Sequence, residues 1–428
     1  AAEHVLHLRL ELVLVLAGVM AVSLSIWVSL AIVLLLGILT VSYRQIIFAY
    51  PGGGGAYTVS RENLGQNWSL CAAASLLIDY VLTVAVSVAA GIAAISSAFP
   101  ALQPYTVTLG LLAIGTLIFG NLRGVRESGK IFSIPTYVFI SSLGVLILMG
   151  IGRWVFGWGD GQAATVAAPV AVEGLTLFLL LRAFSSGCTA LTGVEVISNG
   201  VSAFRKPAPD NASITMIWMA GILGSLFLGI SILAQLYGVL PKENETLISQ
   251  LARLVFGDNI LYYIFQTATM LILILAANSS FAGFPRLASL LAQDSFLPHQ
   301  MKGVGDKLVF SNGILLLGLF AGLLLVVFHG DTHALIPLYA VGVFLSFTLS
   351  QGGMVRYWQK ELKYGRKAGA KKSLAINLTG CIATALATLI IAGTKFIHGA
   401  WAVLVLIPVL MLLFQSIKRH YTVADWAL

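Results

Sequence analysis

The apolar residues of this chain fall into long continuous runs. Runs of about 20 apolar residues are long enough to cross a bilayer as a helix, whereas a transmembrane β-barrel would show segments of about ten residues alternating apolar and polar. The pattern predicts an all-α polytopic membrane protein with twelve transmembrane helices. The predicted spans are 5–21, 24–48, 67–97, 106–121, 132–156, 173–202, 212–238, 259–277, 311–328, 333–355, 373–395 and 400–417, with short amphipathic helices at 55–63, 245–256 and 280–292.

The composition also excludes most soluble classes. Hydrophobic residues make up 58% of the 428 residues and charged residues only 10%, whereas charged residues are about 25% of a soluble domain. Cys71, Cys188 and Cys381 are far apart in apolar surroundings, so neither disulfides nor a zinc site are predicted. We expect neither an enzyme nor a bound cofactor.

The net charge of +8 follows the predicted topology. Nineteen of the 25 Lys and Arg residues lie in the tail or in one set of alternate connections between spans. Cytoplasmic loops collect Lys and Arg, so both termini are predicted to be cytoplasmic, in a multi-pass membrane protein. A nucleic-acid partner is not expected, because the basic residues lack accompanying aromatic or groove-reading side chains.

The predicted span 173–202 is interrupted by glycines and hydroxyl side chains. The interrupting stretch is Ser185-Ser186-Gly187-Cys188-Thr189-Ala190-Leu191-Thr192-Gly193-Val194-Glu195. A broken helix at membrane depth frees backbone groups that can hold a small ligand. We predict an unwound backbone at Gly187, Thr189 and Gly193, with Thr192 and Glu195 on one face of a site. Alternatively, Glu195 is a structural carboxylate bonded to free N–H groups of the unwound segment.

Four polar residues lie close together in the predicted third span. Tyr80, Thr83 and Ser87 are spaced i, i+3 and i+7 on one helical face, which favours a lined cavity. The alternative is that the hydroxyls bond back to helix carbonyls while Tyr80 reaches the interface. Asp79 is costly at membrane depth and is a functional candidate, unless it forms an ion pair with Arg182.

A weak internal symmetry divides the chain into repeats. Spans 1–5 and 6–10 each begin with an atypical helix and must have opposite topology, because five is odd. We therefore predict one transporter domain over 1–428, with a first inverted repeat in 1–156, a second in 172–368 and helices 11–12 in 369–428. The first span is interrupted by polar residues and its beginning is expected to be truncated. These polar residues are His4, His7, Arg9 and Glu11.

Several motifs together resemble a known family. The exit of the second span, Tyr50-Pro51-Gly52-Gly53-Gly54-Gly55-Ala56-Tyr57, predicts a flexible turn or a hinge and is similar to transporters of the amino acid–polyamine–organocation (APC) superfamily. Three further stretches resemble the KimA-type potassium importers of bacteria. They are Leu76-Leu77-Ile78-Asp79-Tyr80-Val81-Leu82-Thr83-Val84-Ala85-Val86-Ser87, Asn121-Leu122-Arg123-Gly124-Val125 and Gly187-Cys188-Thr189-Ala190-Leu191-Thr192-Gly193-Val194-Glu195.

The resemblance implies a fold, a substrate and a set of ligands. It implies a LeuT-like fold of 5+5 inverted repeats that imports K⁺ with H⁺, usually as a homodimer. It places the K⁺ ligands at Tyr80, Thr83, Ser87, Thr192 and Glu195. The family's first helix also supplies an aspartate and a tyrosine, and neither is found in span 5–21. A soluble C-terminal regulatory domain that the family carries is expected to be absent here.

The predicted mechanism is alternating access, in which K⁺ and H⁺ cross the bilayer together. Glu195 would bind a proton in one state and K⁺ in another, with Asp79 as a second candidate for the proton. The first alternative is a proton-coupled amino-acid permease, which would need a glycine break in the first helix. The second is a membrane scaffold that transports nothing, which the broken helix disfavours because such a segment is costly without a ligand.

Overall fold

A computed structural model describes residues 19–53, 55–123, 129–157, 177–239, 245–303, 310–365 and 369–427. Ten helices among them are long and apolar enough to cross a membrane. Three features of the sequence analysis lie outside the described residues: residues 5–18 of the first predicted span, the glycine at position 54 and the loop 158–176. The twelve-helix inverted-repeat arrangement and the homodimer therefore stay predictions, whereas the all-helical membrane class is confirmed.

Fourteen α-helices occur in the described residues, with short 3₁₀ segments between some of them. The helices are α1 Val19–Ala49, α2 Ala56–Asn63, α3 Gln66–Ala98, α4 Thr106–Leu122, α5 Gly129–Phe156, α6 Leu177–Gly187, α7 Val194–Asn199, α8 Ala208–Leu236, α9 Leu247–Phe256, α10 Ile260–Gln293, α11 Ser311–Val327, α12 Thr332–Tyr364, α13 Ala370–Lys395 and α14 Ala400–Ala427. The short helices α2 and α9 match two of the three amphipathic helices predicted from the sequence.

Two predicted boundaries are wrong. The turn placed between spans 5–21 and 24–48 does not exist, because α1 runs through Val22 and Ser23, and neither residue breaks a helix. The separate helix predicted at 280–292 is the second half of α10. Polar residues lowered the hydropathy there, but they do not stop the helix: Asn278 accepts a 2.6 Å hydrogen bond from Asn121 of α4, and Ser280 is buried.

Helix α3 forms the centre of the bundle and carries half of the predicted site. It packs against α2, α4, α10, α11, α12 and α14, and most of its residues are buried. Small side chains make this close packing possible. A Cβ at Gly342 of α12 would lie 2.9 Å from the carbonyl oxygen of Ser75, and one at Gly91 would lie 3.2 Å from the carbonyl oxygen of Met270 in α10.

We expect Gly342→Ala to destabilise the protein, because its methyl group would meet the rigid backbone of α3 and force the two helices apart. Overpacking of this kind costs about 1–3 kcal/mol. Gly37→Ala in α1 is the matched control, since nothing lies within 4 Å of its added Cβ and alanine is the better helix former. Thermal unfolding in detergent should show a lower midpoint for Gly342→Ala alone. Equal midpoints for the two variants would contradict the close-packing argument.

Candidate functional site

The helical backbone is interrupted between α6 and α7. Helix α6 ends at Gly187, a 3₁₀ turn covers Cys188–Leu191, and Thr192 is extended with ψ 143°. Gly193 then has φ 100°, a left-handed conformation that favours glycine. The chain therefore unwinds over the stretch that the glycines and hydroxyls predicted, and backbone groups leave the helical hydrogen-bonding pattern there.

Side chains of the unwound segment satisfy some of these freed backbone groups. The hydroxyl of Thr189 donates to the carbonyl oxygen of Ser186 at 2.7 Å, and the hydroxyl of Thr192 donates to that of Thr189 at 2.9 Å. The N–H of Gly193 donates to Oε2 of Glu195 at 3.1 Å. The structural alternative for Glu195 is thus present in the molecule: the carboxylate accepts from the N–H of Gly193 and also interacts with its own backbone N–H.

Two buried carboxyl groups lie near the break, one on α3 and one at the start of α7. Glu195 is 3% exposed and Asp79 of α3 is 2% exposed, and each lies within electrostatic range of the other. No ion pair joins Asp79 to Arg182 in the described residues, and Oδ1 of Asp79 has no hydrogen-bond partner. Burying two carboxylate charges together is very costly unless a proton or a cation neutralises them.

The polar face of α3 reaches this acidic pair. The hydroxyl of Tyr80 accepts a hydrogen bond from Nδ2 of Asn199 at 3.2 Å and lies within electrostatic range of Glu195. Thr83 contacts the hydroxyl of Tyr339. Ser87 lies one turn farther along α3 and is half-buried. In the described residues neither Thr83 nor Ser87 bonds back to a carbonyl of α3. Of the predicted polar face, only Tyr80 lines the cavity at this end of the bundle, so the lined cavity stays a prediction for Thr83 and Ser87.

Two tyrosines that the sequence analysis missed complete the surroundings of the acidic pair. Tyr339 of α12 donates to the hydroxyl of Thr192 at 2.6 Å, and it joins the unwound segment to α3 through Thr83. Tyr43 of α1 is 1% exposed and lies within electrostatic range of Glu195 and Tyr80. A tyrosine hydroxyl within an apolar span is a signal of a buried polar site, and both tyrosines carry it. Nothing in the sequence indicated that these two spans lie beside the broken helix.

A cavity of about 440 Å³ extends from Tyr80 to one end of the bundle. Its walls include Asn199 of α7 and Arg286 of α10, and it reaches exposed residues such as Ser202. The glycine turn after α1 forms another wall, because a Cβ at Gly53 would lie 2.8 Å from the carbonyl oxygen of Asn199. The turn therefore packs against Asn199 of α7, the residue that donates a hydrogen bond to Tyr80.

An ion-pair network ties α2 to the end of α10 beside this cavity. Asp294 accepts a 2.6 Å hydrogen bond from the hydroxyl of Tyr57 and forms an ion pair with Arg61. Burial, reinforced by the hydrogen bond to Asp294, raises the pKa of Tyr57 well above its ordinary value. Tyr57 therefore remains a neutral donor at physiological pH and holds the short helix over the cavity wall.

This chain is similar in sequence to known transport proteins. A family model described as "Amino acid permease" matches residues 12–414. "Potassium transporter KimA" of Bacillus subtilis (strain 168) is 47% identical over 414 residues, which are 96% of this chain and 67% of that protein. "Probable potassium transport system protein Kup" of Bordetella avium is 30% identical over 153 residues, 35% of this chain and 23% of that protein. "Probable potassium transport system protein Kup" of Nitrosospira multiformis is 27% identical over 225 residues, which are 52% of this chain and 33% of that protein.

Proposed function

Since this chain belongs to the amino acid permease family of membrane transporters, we propose that it transports K⁺ together with H⁺ across the bacterial inner membrane. The Bacillus relative, named as a potassium transporter, supports K⁺ as the cargo. The observation on which the proposal chiefly depends is the buried pair of Asp79 and Glu195, which is surrounded by hydroxyl groups and lies at a break in a membrane helix.

The side chains at the break suit a bare monovalent cation. K⁺ enters a binding site when oxygens replace its hydration shell. Tyr80, Thr83 and Thr192 present hydroxyl oxygens, Glu195 presents a carboxylate, and the unwound backbone adds carbonyl groups near Thr189. Ser87 is proposed as an outlying ligand, one turn beyond Thr83. Tyr339 joins this set from its position between Thr83 and Thr192.

The same carboxyl groups provide the coupling to protons. With K⁺ bound, the charge of Glu195 is balanced by the cation. Without K⁺, a proton must neutralise at least one of the two buried acids, because two buried carboxylates within electrostatic range of each other repel strongly in a low dielectric. Glu195 is the first candidate for this proton, since it lies in the first turn of α7 directly after the unwound segment, and Asp79 is the second.

Alternating access requires one side of the site to open at a time, and the cavity beside Tyr80 supplies such a route. Arg61 and Arg286 mark the end of the bundle toward which it opens. Following the distribution of basic residues, we propose that this end is cytoplasmic, as are both termini. The cavity is then the inward release route, and assembly as a homodimer is part of the same proposal.

Flux into proteoliposomes tests the function directly. An inward proton gradient should drive uptake of a rubidium tracer, excess K⁺ should compete, and dissipating the gradient should stop accumulation. Labelled amino acids tested in parallel address the amino-acid permease alternative. Gradient-driven amino-acid uptake without rubidium uptake would overturn the proposal, and so would rubidium uptake that is indifferent to the proton gradient, because it would remove H⁺ as the coupled ion.

Thr83→Ala should raise the apparent KM for rubidium about tenfold, because a hydrogen bond or oxygen contact to a charged group contributes about 1.5–3 kcal/mol. Ser87→Val should also raise the apparent KM for rubidium, but by a smaller factor. Thr269→Ala is the control: among the described residues its buried hydroxyl bonds to the carbonyl of Phe265, within its own helix. An unchanged KM in both α3 variants, measured on folded protein, would assign this face of α3 to packing.

A further inference from the structure

A second cavity, of about 560 Å³, lies on the other side of α3 from the acidic pair. Leu77, Ile78 and Val81 line it, whereas Asp79 and Tyr80 lie within electrostatic range of Glu195, and Tyr80 accepts a hydrogen bond from Asn199 of α7. At 100° per residue the two sets are centred roughly half a helical turn apart. We call this cavity the lateral groove; its other walls come from α10, α11, α12 and α14.

The lateral groove is suited to a hydrocarbon chain. Every residue that lines it is Ala, Val, Ile, Leu or Phe, so it lacks the few convergent polar groups by which pockets orient polar solutes. Its floor is buried at Ala288, Val403 and Phe414, and its rim is open, with Leu323 56% exposed. From Ala402 to Phe414 the groove follows α14 for about 18 Å, close to the hydrocarbon depth of one leaflet, about 15 Å.

Positive charge lies at one end of the groove. Lys418 follows Phe414 by one helical turn, and its Nζ lies 4.3 Å from the ring centre of Phe296. Its polar partner is the neutral Gln66, at 3.5 Å, and Arg419 beside it is exposed. None of the ion pairs among the described residues involves Lys418 or Arg419. This end is therefore complementary to a phosphate group at the membrane surface.

We propose that the lateral groove binds an acyl chain of an anionic phospholipid, with the phosphate beside Lys418. The groove wall is continuous with the site residues: Ile78 precedes Asp79, Leu338 precedes Tyr339, and Phe284 follows the glycine on which Tyr80 packs. A bound chain would therefore support the outer surface of the helices that hold the acidic pair. The binding of lipid does not depend on which substrate the protein transports.

Native mass spectrometry of the purified full chain tests the site, with dioleoyl phosphatidylglycerol and dioleoyl phosphatidylcholine as probes. The wild type should retain one phosphatidylglycerol. Leu410→Trp places a bulky ring in the groove and should lower its occupancy at least tenfold. Leu412→Trp, on the same helix but 66% exposed and outside the groove, should leave it unchanged. Ala402→Phe fills the groove at the opposite end. It should lower phosphatidylglycerol occupancy in the same way and replaces Leu410→Trp if that variant does not fold.

The charged end is tested separately. Lys418→Gln should weaken phosphatidylglycerol binding about fivefold, the effect of one Lys near a membrane surface, without changing phosphatidylcholine binding. Lys371→Gln, an exposed lysine at the start of α13, should change neither. The proposal is overturned if no lipid is retained, or if Leu412→Trp acts as strongly as Leu410→Trp. It is also overturned if Leu410→Trp converts a lipid-free dimer into monomers, because a second copy would then cover the groove.

Discussion

Glu195→Gln is expected to abolish rubidium uptake driven by a proton gradient while the protein stays folded. Glutamine keeps the volume of the side chain, and its carbonyl oxygen can still accept the N–H of Gly193. It can neither carry the charge that balances K⁺ nor exchange a proton. Removing one partner of a buried charged contact costs about 3–5 kcal/mol, so uptake should fall at least about a hundredfold.

Glu62→Gln is the matched control for this prediction. It makes the same chemical change at an exposed position of α2, and uptake should remain at the wild-type rate. Proton-driven uptake by Glu195→Gln at that rate would remove Glu195 from the mechanism. If the variant instead takes up rubidium without regard to pH, Glu195 carries the proton but is dispensable for the cation, and Asp79→Asn becomes the test of the cation contact.

Gly283→Ala is expected to lower uptake at least about tenfold, with little loss of folded protein. A Cβ at this position would lie 2.7 Å from Cζ of Tyr80 and 2.9 Å from its hydroxyl oxygen. The ring is rigid, so it must move, and its hydroxyl then leaves Asn199 and the acidic pair. A displacement of about 1 Å in a positioning group can cost about a hundredfold in rate.

Gly115→Ala of α4 is the control, since nothing lies within 4 Å of its added Cβ. The uptake rate should be measured together with the thermal midpoint, so that misfolding is separated from a displaced tyrosine. Wild-type uptake by Gly283→Ala would mean that the position of Tyr80 is unimportant for transport. The Tyr80–Asn199 hydrogen bond would then be a packing feature of the cavity wall.

The unwound segment could be predicted from the sequence because its signal is local. Glycines, hydroxyls and an acid within eleven residues conflict with an apolar membrane helix, and the conflict has few physical solutions. The polar face of α3 was equally local, being set by helical periodicity. Both predictions depended on residues within a few turns of one another, and the structure brings Tyr80, Asp79 and Glu195 to the same place.

Contacts between distant segments could not be predicted in the same way. Tyr339 and Thr192 are 147 residues apart, and no periodicity within either helix identifies the other. Tyr43 was missed for the same reason. The boundary error within α10 has a different cause: hydropathy falls at Asn278, but its side-chain amide is satisfied by Asn121, so the helix continues through a polar stretch that resembles a helix end.

Arg286 is the one charged side chain among the described residues that line the cavity beside Tyr80, and it lies within electrostatic range of that tyrosine. A monovalent cation that leaves through this passage is therefore repelled by a fixed positive charge. Small anions that enter the passage screen that repulsion, and they do so more effectively as ionic strength rises. For the inward release route proposed above, we therefore expect a release rate that depends on the salt composition of the compartment into which the passage opens.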